Sequence, residues 1–370
     1  MITLNWPPNI HHLMARRLKD KPKKPEPMPE PILSASAIFG GFKTEKPESV
    51  REAAVEANQT LIQLHSVWKM HSYQSNYDIG AAIKKIPCSS ADIEKFSLAL
   101  IDHQGEKGFE IKAGLFLIAM MADCKENDVV IHTSHLTVFP DFIGEKNTRN
   151  IRVDGSAGSW VGRSMKSGTI IVKGDAGREA GGGMTGGTIT IFGKAGEMSG
   201  AHMESGEMII NGDVGENIGQ RMKGGSITIN GNSMQGGIGF LMERGTIIVN
   251  GFAGRDTGRG MSGGSILVTG DVDITLGYGM KGGSIHLMGD ASKHVGGVMV
   301  GGRLTVTGNT GDLLGERMKG GIITVGGNTG RDVGKGMEGG EIHINGDFIS
   351  LGTGIKHGKI YHKEKLIIDE

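Results

Sequence analysis

The sequence predicts a mainly β protein, a parallel β-helix of about eleven 19-residue coils behind an N-terminal α+β cap. Three observations point to a solenoid of this kind: a glycine excess confined to one part of the chain, a proline deficit over the same part, and a fixed repeat. Only seven of the 64 glycines precede residue 150, and all ten prolines lie at or before Pro140. Glycine is far above its usual share of about 7%. The composition changes near residue 150, which marks a domain boundary.

From Asn150 to Gly358 the sequence repeats eleven times, mostly at 19 residues, as in TIIVKGDAGREAGGGMTGG at 169–187. The unit SITINGNSMQGGIGFLMERG at 226–245 is one residue longer, and EIHINGDFISLGTGIKHG at 341–358 is one shorter. Each unit opens on alternating apolar positions, such as Ile170/Val172, Ile227/Ile229 and Leu304/Val306. Alternation of branched residues over so short a run predicts a strand with one buried face. A glycine ends each strand, and Asp or Asn often follows, as at Asp175, Asp213, Asn309 and Asn328. Those residue types suit left-handed backbone and local turns. The full spacing is Gly-x-x-Gly-x-x-x-Gly, then a Met three residues on, then a small pair that is usually Gly-Gly.

So short a unit cannot bury its own apolar face, but stacked copies can. Strands about 4.8 Å apart would carry eleven coils over roughly 50 Å. The absence of proline fits, because proline removes a ladder donor. A methionine ladder runs through the units, from Met165, Met184 and Met203 to Met318 and Met337, with Ile355 in the last slot. Replacement of Met by Ile suits packing better than metal ligation, so the ladder reads as core.

The first 149 residues read differently. Residues 1–46 include KDKPKKPEPMPEP and predict an extended Pro/Lys-rich tail. Residues 47–149 predict the α+β cap. A helix is expected over 49–70, with a capping-box pattern at Ser49 and Glu52 and an apolar stripe of Leu61, Leu64 and Trp68. A second helix is expected after Ser90. GLFLIAMMAD at 114–123 is a third apolar segment, and DVVIHT at 128–133 reads as a strand. A cap of this kind covers the open end of a solenoid. Residues 359–370 read as a C-terminal tail.

Several function classes fit poorly. Forty basic and forty acidic side chains leave no net field for nucleic acid or an anionic membrane. Cys88 and Cys124 are the two cysteines and form no CxxC, so a disulfide scaffold, an all-cysteine zinc site or a cysteine-ligated cluster within this chain is not expected. The chain has no apolar run of membrane-spanning length and no secretory-signal pattern, so a cytoplasmic protein is expected.

Motifs that elsewhere carry chemistry dissolve into the repeat. GxGxxG occurs at 181–186, 258–263, 277–282 and 334–339, but with no helix after it, which a dinucleotide site needs. GMSGG at 260–264 places Ser262 in a closing turn, where a nucleophile elbow would need a strand and a helix. His286 and His343 share a slot three coils apart, too far for a zinc site, and read as solvent-facing. Asp175, Asp213, Asp271, Asp290 and Asp347 read as turn residues. Arg163, Arg259, Glu316 and Lys335, two before the Met, read as a mixed hydrated face that could also dock a partner. No catalytic, cofactor-binding or metal residue is assigned.

The Gly-x-x-Gly-x-x-x-Gly repeat with its Met-x-Gly-Gly closures resembles the GXGXG family over 150–358. That family includes the C subunit of formylmethanofuran dehydrogenase and the C-terminal domain of the glutamate synthase large subunit. The resemblance implies the right-handed β-helix and a non-catalytic scaffold role inside a multi-subunit oxidoreductase. The uninterrupted array is nearer to the formylmethanofuran C subunit, so one-carbon metabolism and metallopterin and amidohydrolase partner subunits are implied. Molybdopterin or tungstopterin, zinc or iron–sulfur clusters would then sit in those partners, with no cofactor in this chain. The alternatives are a stand-alone glutamate synthase C-terminal-type domain supporting an amidotransferase/synthase complex, and an independent hydrolase.

Overall fold

The computed structural model describes residues 59–73 and 76–370. The expected tail over 1–46 and the Ser49/Glu52 capping box lie outside the described residues. The described chain begins with helices α1 (Gln59–Met70), α2 (Asn76–Ile83), α3 (Ser90–Ala99) and α4 (Phe109–Asp123), with a 3-10 turn at Leu100–His103 after α3. A single sheet follows. Its strands are β1 (Asp128–His132), β2 (Asn150–Asp154), β3 (Thr169–Val172), β4 (Thr185–Ile191), β5 (Ser205–Ile210), β6 (Ser226–Ile229) and β7 (Thr246–Val249). It continues through β8 (Ser265–Val268), β9 (Ser284–Leu287), β10 (Arg303–Val306), β11 (Ile322–Val325), β12 (Glu341–Ile344), β13 (Lys359–His362) and β14 (Lys365–Asp369).

The strands hydrogen-bond in sequence order, β1 to β14, and every pair is parallel except β13·β14. The register repeats from coil to coil, with Ile170 facing Ile189, Ile227 facing Ile247 and Leu304 facing Ile323, and it shifts in β4·β5 between Thr185 and Thr188 and in β13·β14 between Ile360 and Tyr361. From β1 to β12 the apolar pair of each strand points inward and is buried. Rungs at about 4.8 Å carry β1 to β13 over roughly 60 Å. A second ladder of single bridges runs Ala157–Ala176–Ala195–Val214–Ser233–Ala253 down another side. On a third side, the N–H groups of Gly181, Gly200 and Gly219 bond to Val161, Ala180 and Ser199 carbonyls at 2.7–3.0 Å. Each coil therefore touches the next along three sides.

The glycines are required for two different reasons. Apart from Gly155, the strand-ending glycines, such as Gly212 and Gly231, do not have positive φ. A Cβ on Gly231 would fall into the backbone of Gly212 one coil earlier, so close approach excludes a side chain there. The third glycine of each unit is left-handed, at φ +69° for Gly258, and its missing Cβ leaves room for Ile285 of the next coil. The Asp and Asn after the strand-ending glycine serve the stack directly and are not left-handed. The Oδ1 atoms of Asp175, Asp213, Asp271 and Asp290 accept the backbone N–H of the equivalent residue one coil later, at 2.6–2.9 Å.

All ten ladder methionines are fully buried. Each sends its Cε over the closing glycine of the following coil, Met261 onto Gly283 and Met299 onto Gly321. Burial of one such side chain is worth about 1.5–3 kcal/mol. Ile355 ends the ladder half-buried.

The solenoid begins one coil earlier than the repeat. β1 pairs in register with β2, so Asp128–Arg149 is a coil of the solenoid and not part of the cap, making about twelve turns. This coil lacks the glycine code because its upstream neighbours are helices. Pro140 is tolerated there: its missing N–H faces no earlier coil, while its carbonyl accepts Gly158 N–H at 2.9 Å. Residues 359–370 are likewise not a free tail. Lys363 and Glu364, at φ 48° and 66°, turn the chain into the antiparallel hairpin β13–β14.

The cap is helical on the described residues. Leu61, Leu64 and Trp68 form the buried stripe of α1 as the spacing predicts, and the apolar segment 114–123 lies in α4. α3 starts at an N-cap on Ser89, whose hydroxyl and backbone exchange hydrogen bonds with Asp92. Trp68, Phe96 and Phe116 pack with centroids 4.8–6.1 Å apart, fully buried beside Val129 and Ile131 of β1.

Three substitutions separate the two roles of glycine. Gly231→Ala is expected to destabilise by about 3 kcal/mol or more, because two backbones must part. Gly258→Ala should cost about 2–3 kcal/mol, from strain and the clash with Ile285. Gly279→Ala has open space around the new methyl and should cost only about 1 kcal/mol for its left-handed φ of +63°. Denaturant unfolding of the three variants checks the order, and equal costs would contradict it.

Candidate interaction surface and charge clusters

The outer faces of the coils carry long polar stripes. One pairs Arg178 with Glu197 at 3.8 Å, Arg255 with Glu216 at 3.6 Å and Lys293 with Asp312 at 3.9 Å. Another pairs Lys223 with Glu204 at 3.4 Å and Lys319 with Glu338 at 3.9 Å. Exposed pairs of this kind each contribute at most about 1 kcal/mol. They give a hydrated surface of alternating sign.

The slot two residues before the ladder Met is less uniform than that. Arg163 and Lys335 are exposed at its ends, and Glu316 accepts from or ion-pairs with His294 Nδ1 at 2.9 Å. In the middle coils the same slot holds Phe240, Arg259 and Tyr278, with the Arg259 guanidinium 5.7 Å from the Tyr278 ring centre. Beside them lies the one lengthened coil. Its extra residue is absorbed as a bulge: Asn217 N–H bonds to the Gly236 carbonyl at 3.1 Å, and Gly237 N–H to the Arg255 carbonyl at 2.8 Å. The bulge throws Met234 outward, 70% exposed. It also opens a cavity of about 220 Å³ lined by Glu216, Asn217, Gln235, Phe240, Arg255 and Arg259. Aromatic residues, Met and Arg are the types enriched where proteins dock. The length of the 226–245 unit was the sequence signal for this site, and the outward direction of its extra residue was not readable from it.

A buried charge cluster ties the cap to the coils. His132, at the end of β1, is 3% exposed. Its Nε2 lies 2.9 Å from Glu94 of α3, and its Nδ1 lies 3.4 Å from Asp154 of β2, an ion-pair contact and not an aligned hydrogen bond. Asp154 in turn meets Lys173 at 2.6 Å. The two carboxylates, Asp154 and then Glu94, push His132 up to about 9 against its burial. His132, and then Lys173, hold Asp154 well below the usual carboxylate range. A second cluster sits inside the cap. Glu106 accepts from Trp68 Nε1 at 2.9 Å and from Lys112 Nζ at 3.0 Å, and pairs with His103 Nδ1 at 3.0 Å. Burial opposes ionisation of Glu106, but these bonds outweigh it and hold its carboxyl low. Lys112 is buried 4.3 Å above the Trp68 ring, with Glu106 as its ion-pair partner.

The remaining sequence candidates fall into structural places. Ser262 is exposed on a closing turn, its N–H bonded to the Met242 carbonyl at 2.8 Å. Gly277, in one GxGxxG match, abuts Leu304 of the next coil. His286 and His343 face outward but are half-buried, His286 beside Thr307 Oγ1 at 3.3 Å and His343 stacked on Tyr361 at 4.5 Å. Burial lowers His286 below its ordinary value. Cys88 and Cys124 are buried free thiols, and burial pushes Cys88 up to about 11. Among the described residues no helix is long and apolar enough to cross a membrane. Neither known family models nor curated proteins match this chain.

The His132 cluster makes stability depend on pH. The folded-state value of about 9 lies above the ordinary 6.5, so the protonated form stabilises the fold. That contribution is complete below about pH 6.5 and is lost as pH rises through 9. His132→Gln is expected to cost about 2–3 kcal/mol at pH 6. The gap to the native chain should narrow steadily between pH 6.5 and 9.5 in denaturant titrations.

Proposed function

We propose that this chain is a non-catalytic scaffold subunit of a multi-subunit oxidoreductase, of the kind its repeat resembles in the formylmethanofuran dehydrogenase C subunit. The observation that carries the reading is the Met234–Phe240–Arg259–Tyr278 surface around the lengthened coil. Along the rest of that face the stripes are hydrated ion pairs that make weak contacts with anything. Here Phe240, Arg255 and Arg259 line a cavity able to receive a partner's side chain, with Tyr278 beside Arg259 and the exposed Met234 on the same lengthened coil. Stacking accounts for the repeated glycines, the methionines and the post-glycine Asp and Asn residues, so the repeat serves to hold a rigid surface in place. Partners that carry a metallopterin or an amidohydrolase centre follow from the family resemblance, and metals and cofactors would reside in them.

A tagged chain expressed in its native host tests the reading. It is expected to bring down a metallopterin-containing oxidoreductase subunit, and Met234→Glu with Arg259→Glu should remove that subunit without changing the chain's own melting temperature. Recovery of glutaminase and flavin-containing synthase chains instead would select the glutamate synthase type of complex. Recovery of no oxidoreductase chain, or ester or amide hydrolysis by the isolated chain that Ser262→Ala abolishes, would overturn the scaffold reading.

A further inference from the structure

Two histidine contacts hold the cap together, and protons act on them in opposite directions. The first is the His132 cluster, which ties α3 to β1 and β2 and favours the protonated ring. The second ties α1 to the turn after α3. His65 of α1 is half-buried, and its Nδ1 lies 3.3 Å from Nε2 of His103, whose side chain is 12% exposed. Nδ1 of His103 meets Glu106 at 3.0 Å, and the His103 ring stacks on Trp68 with centres 4.6 Å apart.

The two facing nitrogens have room for one proton. With His103 donating through Nδ1 to Glu106, its Nε2 either accepts N–H from His65 or donates its own to His65. Both arrangements are satisfied while the pair carries at most one positive charge. A second charge puts an N–H on both facing nitrogens, which breaks their hydrogen bond and sets two cationic rings side by side. The surroundings add to that cost. Burial, and then His103, hold His65 below its ordinary value of 6.5, with Asp102 opposing and Lys69 assisting. From α3 the group facing His65 is the Phe96 ring, its centre 6.0 Å away. Behind His103, Glu106 pairs with Lys112 at 3.0 Å, and its bonds keep its carboxyl low, so it stays ionised where histidines titrate.

Neutral His65 therefore stabilises the fold. Its contribution is complete above about pH 6.5 and is lost as pH falls through the depressed folded value. The His132 contribution runs the other way and is complete below about pH 6.5. Mild acid thus weakens the contact of α1 while that of α3 is at full strength. α1 brings Leu61, Leu64, Val67 and Trp68 to the cap, and Phe96 and Phe116 pack on Trp68.

We propose that the cap is a pH-directed hinge, in which acid frees α1 at the His65–His103 contact and uncovers Phe96 and Phe116 while α3 stays fixed to the first coils. The hinge lies within the cap and does not depend on what docks at the Met234 surface.

Hydrogen exchange of the full chain at about pH 7.5 and 5.5, corrected for intrinsic rates, tests it. The amides of α1 are expected to lose about threefold or more of their protection relative to those of α3 at the lower pH. His65→Gln keeps a hydrogen-bonding partner for His103 and removes the second proton, so the acid loss should vanish. His132→Gln should leave the acid response of α1 in place. Protection of α1 relative to α3 that is unchanged or higher at the lower pH, a folded His65→Gln chain that keeps the acid loss, or a folded His132→Gln chain that lacks it would each overturn the proposal.

Discussion

The structure depends on how closely one coil can approach the next. A parallel ladder fixes the rung spacing at about 4.8 Å. At that distance the backbone at the strand-ending glycine lies against the backbone of the previous coil, and no Cβ fits between them. The remaining features follow from keeping that approach on every side of the coil. The left-handed third glycine clears the isoleucine of its neighbour, the Met Cε fills the space over the closing glycine, and the Asp and Asn side chains bond to the backbone N–H of the coil above. Because each defect would be repeated along the stack, the code is kept over many units. The lengthened coil departs from it, and there the surface becomes concave.

A stack held together this way is stable inside and exposed at its ends. The N-terminal end is closed by aromatic burial and by the His132–Glu94–Asp154–Lys173 cluster, which crosses from α3 through three successive strands. The cluster couples a helix to the sheet through charge as well as packing. Among the described residues the C-terminal end carries a two-residue turn and one antiparallel strand. Among the described residues the first coil is more deeply buried than the last.

Much of the fold was legible because the repeat is written in residue types that have few other uses. The alternating strands, the Met ladder, the proline-free span and the helices around Trp68 and Ser90 could be read directly, and the segment around Leu117 was legible as apolar. The coil at Asp128–Arg149 could not, since its glycine code is replaced by contacts to α4, where Gly114 packs on the Asp141 backbone. The reason for the strand-ending glycines was also hidden, because composition does not distinguish a residue chosen for positive φ from one chosen for lack of a Cβ. Left-handed residues recur at non-glycine positions such as Thr275, Val298 and Arg317, which no propensity rule would place there. The Phe240–Arg259–Tyr278 row was visible only as a slot of mixed polarity, since its meaning comes from the bulge beside it.

The account makes the coil, closed on three sides, the unit of the structure, and the proposed docking a property of the surface that closure holds rigid. Hydrogen exchange resolved to single amides measures this most directly. The N–H groups of Gly181, Gly200, Gly219, Gly258, Gly277 and Gly296 bond to the preceding coil on the side away from the sheet. They are predicted to be protected to the same degree as the strand amides of the same coils. Rapid exchange at those glycines beside protected strands would mean a flat sheet with loose connections, and would contradict the closed solenoid.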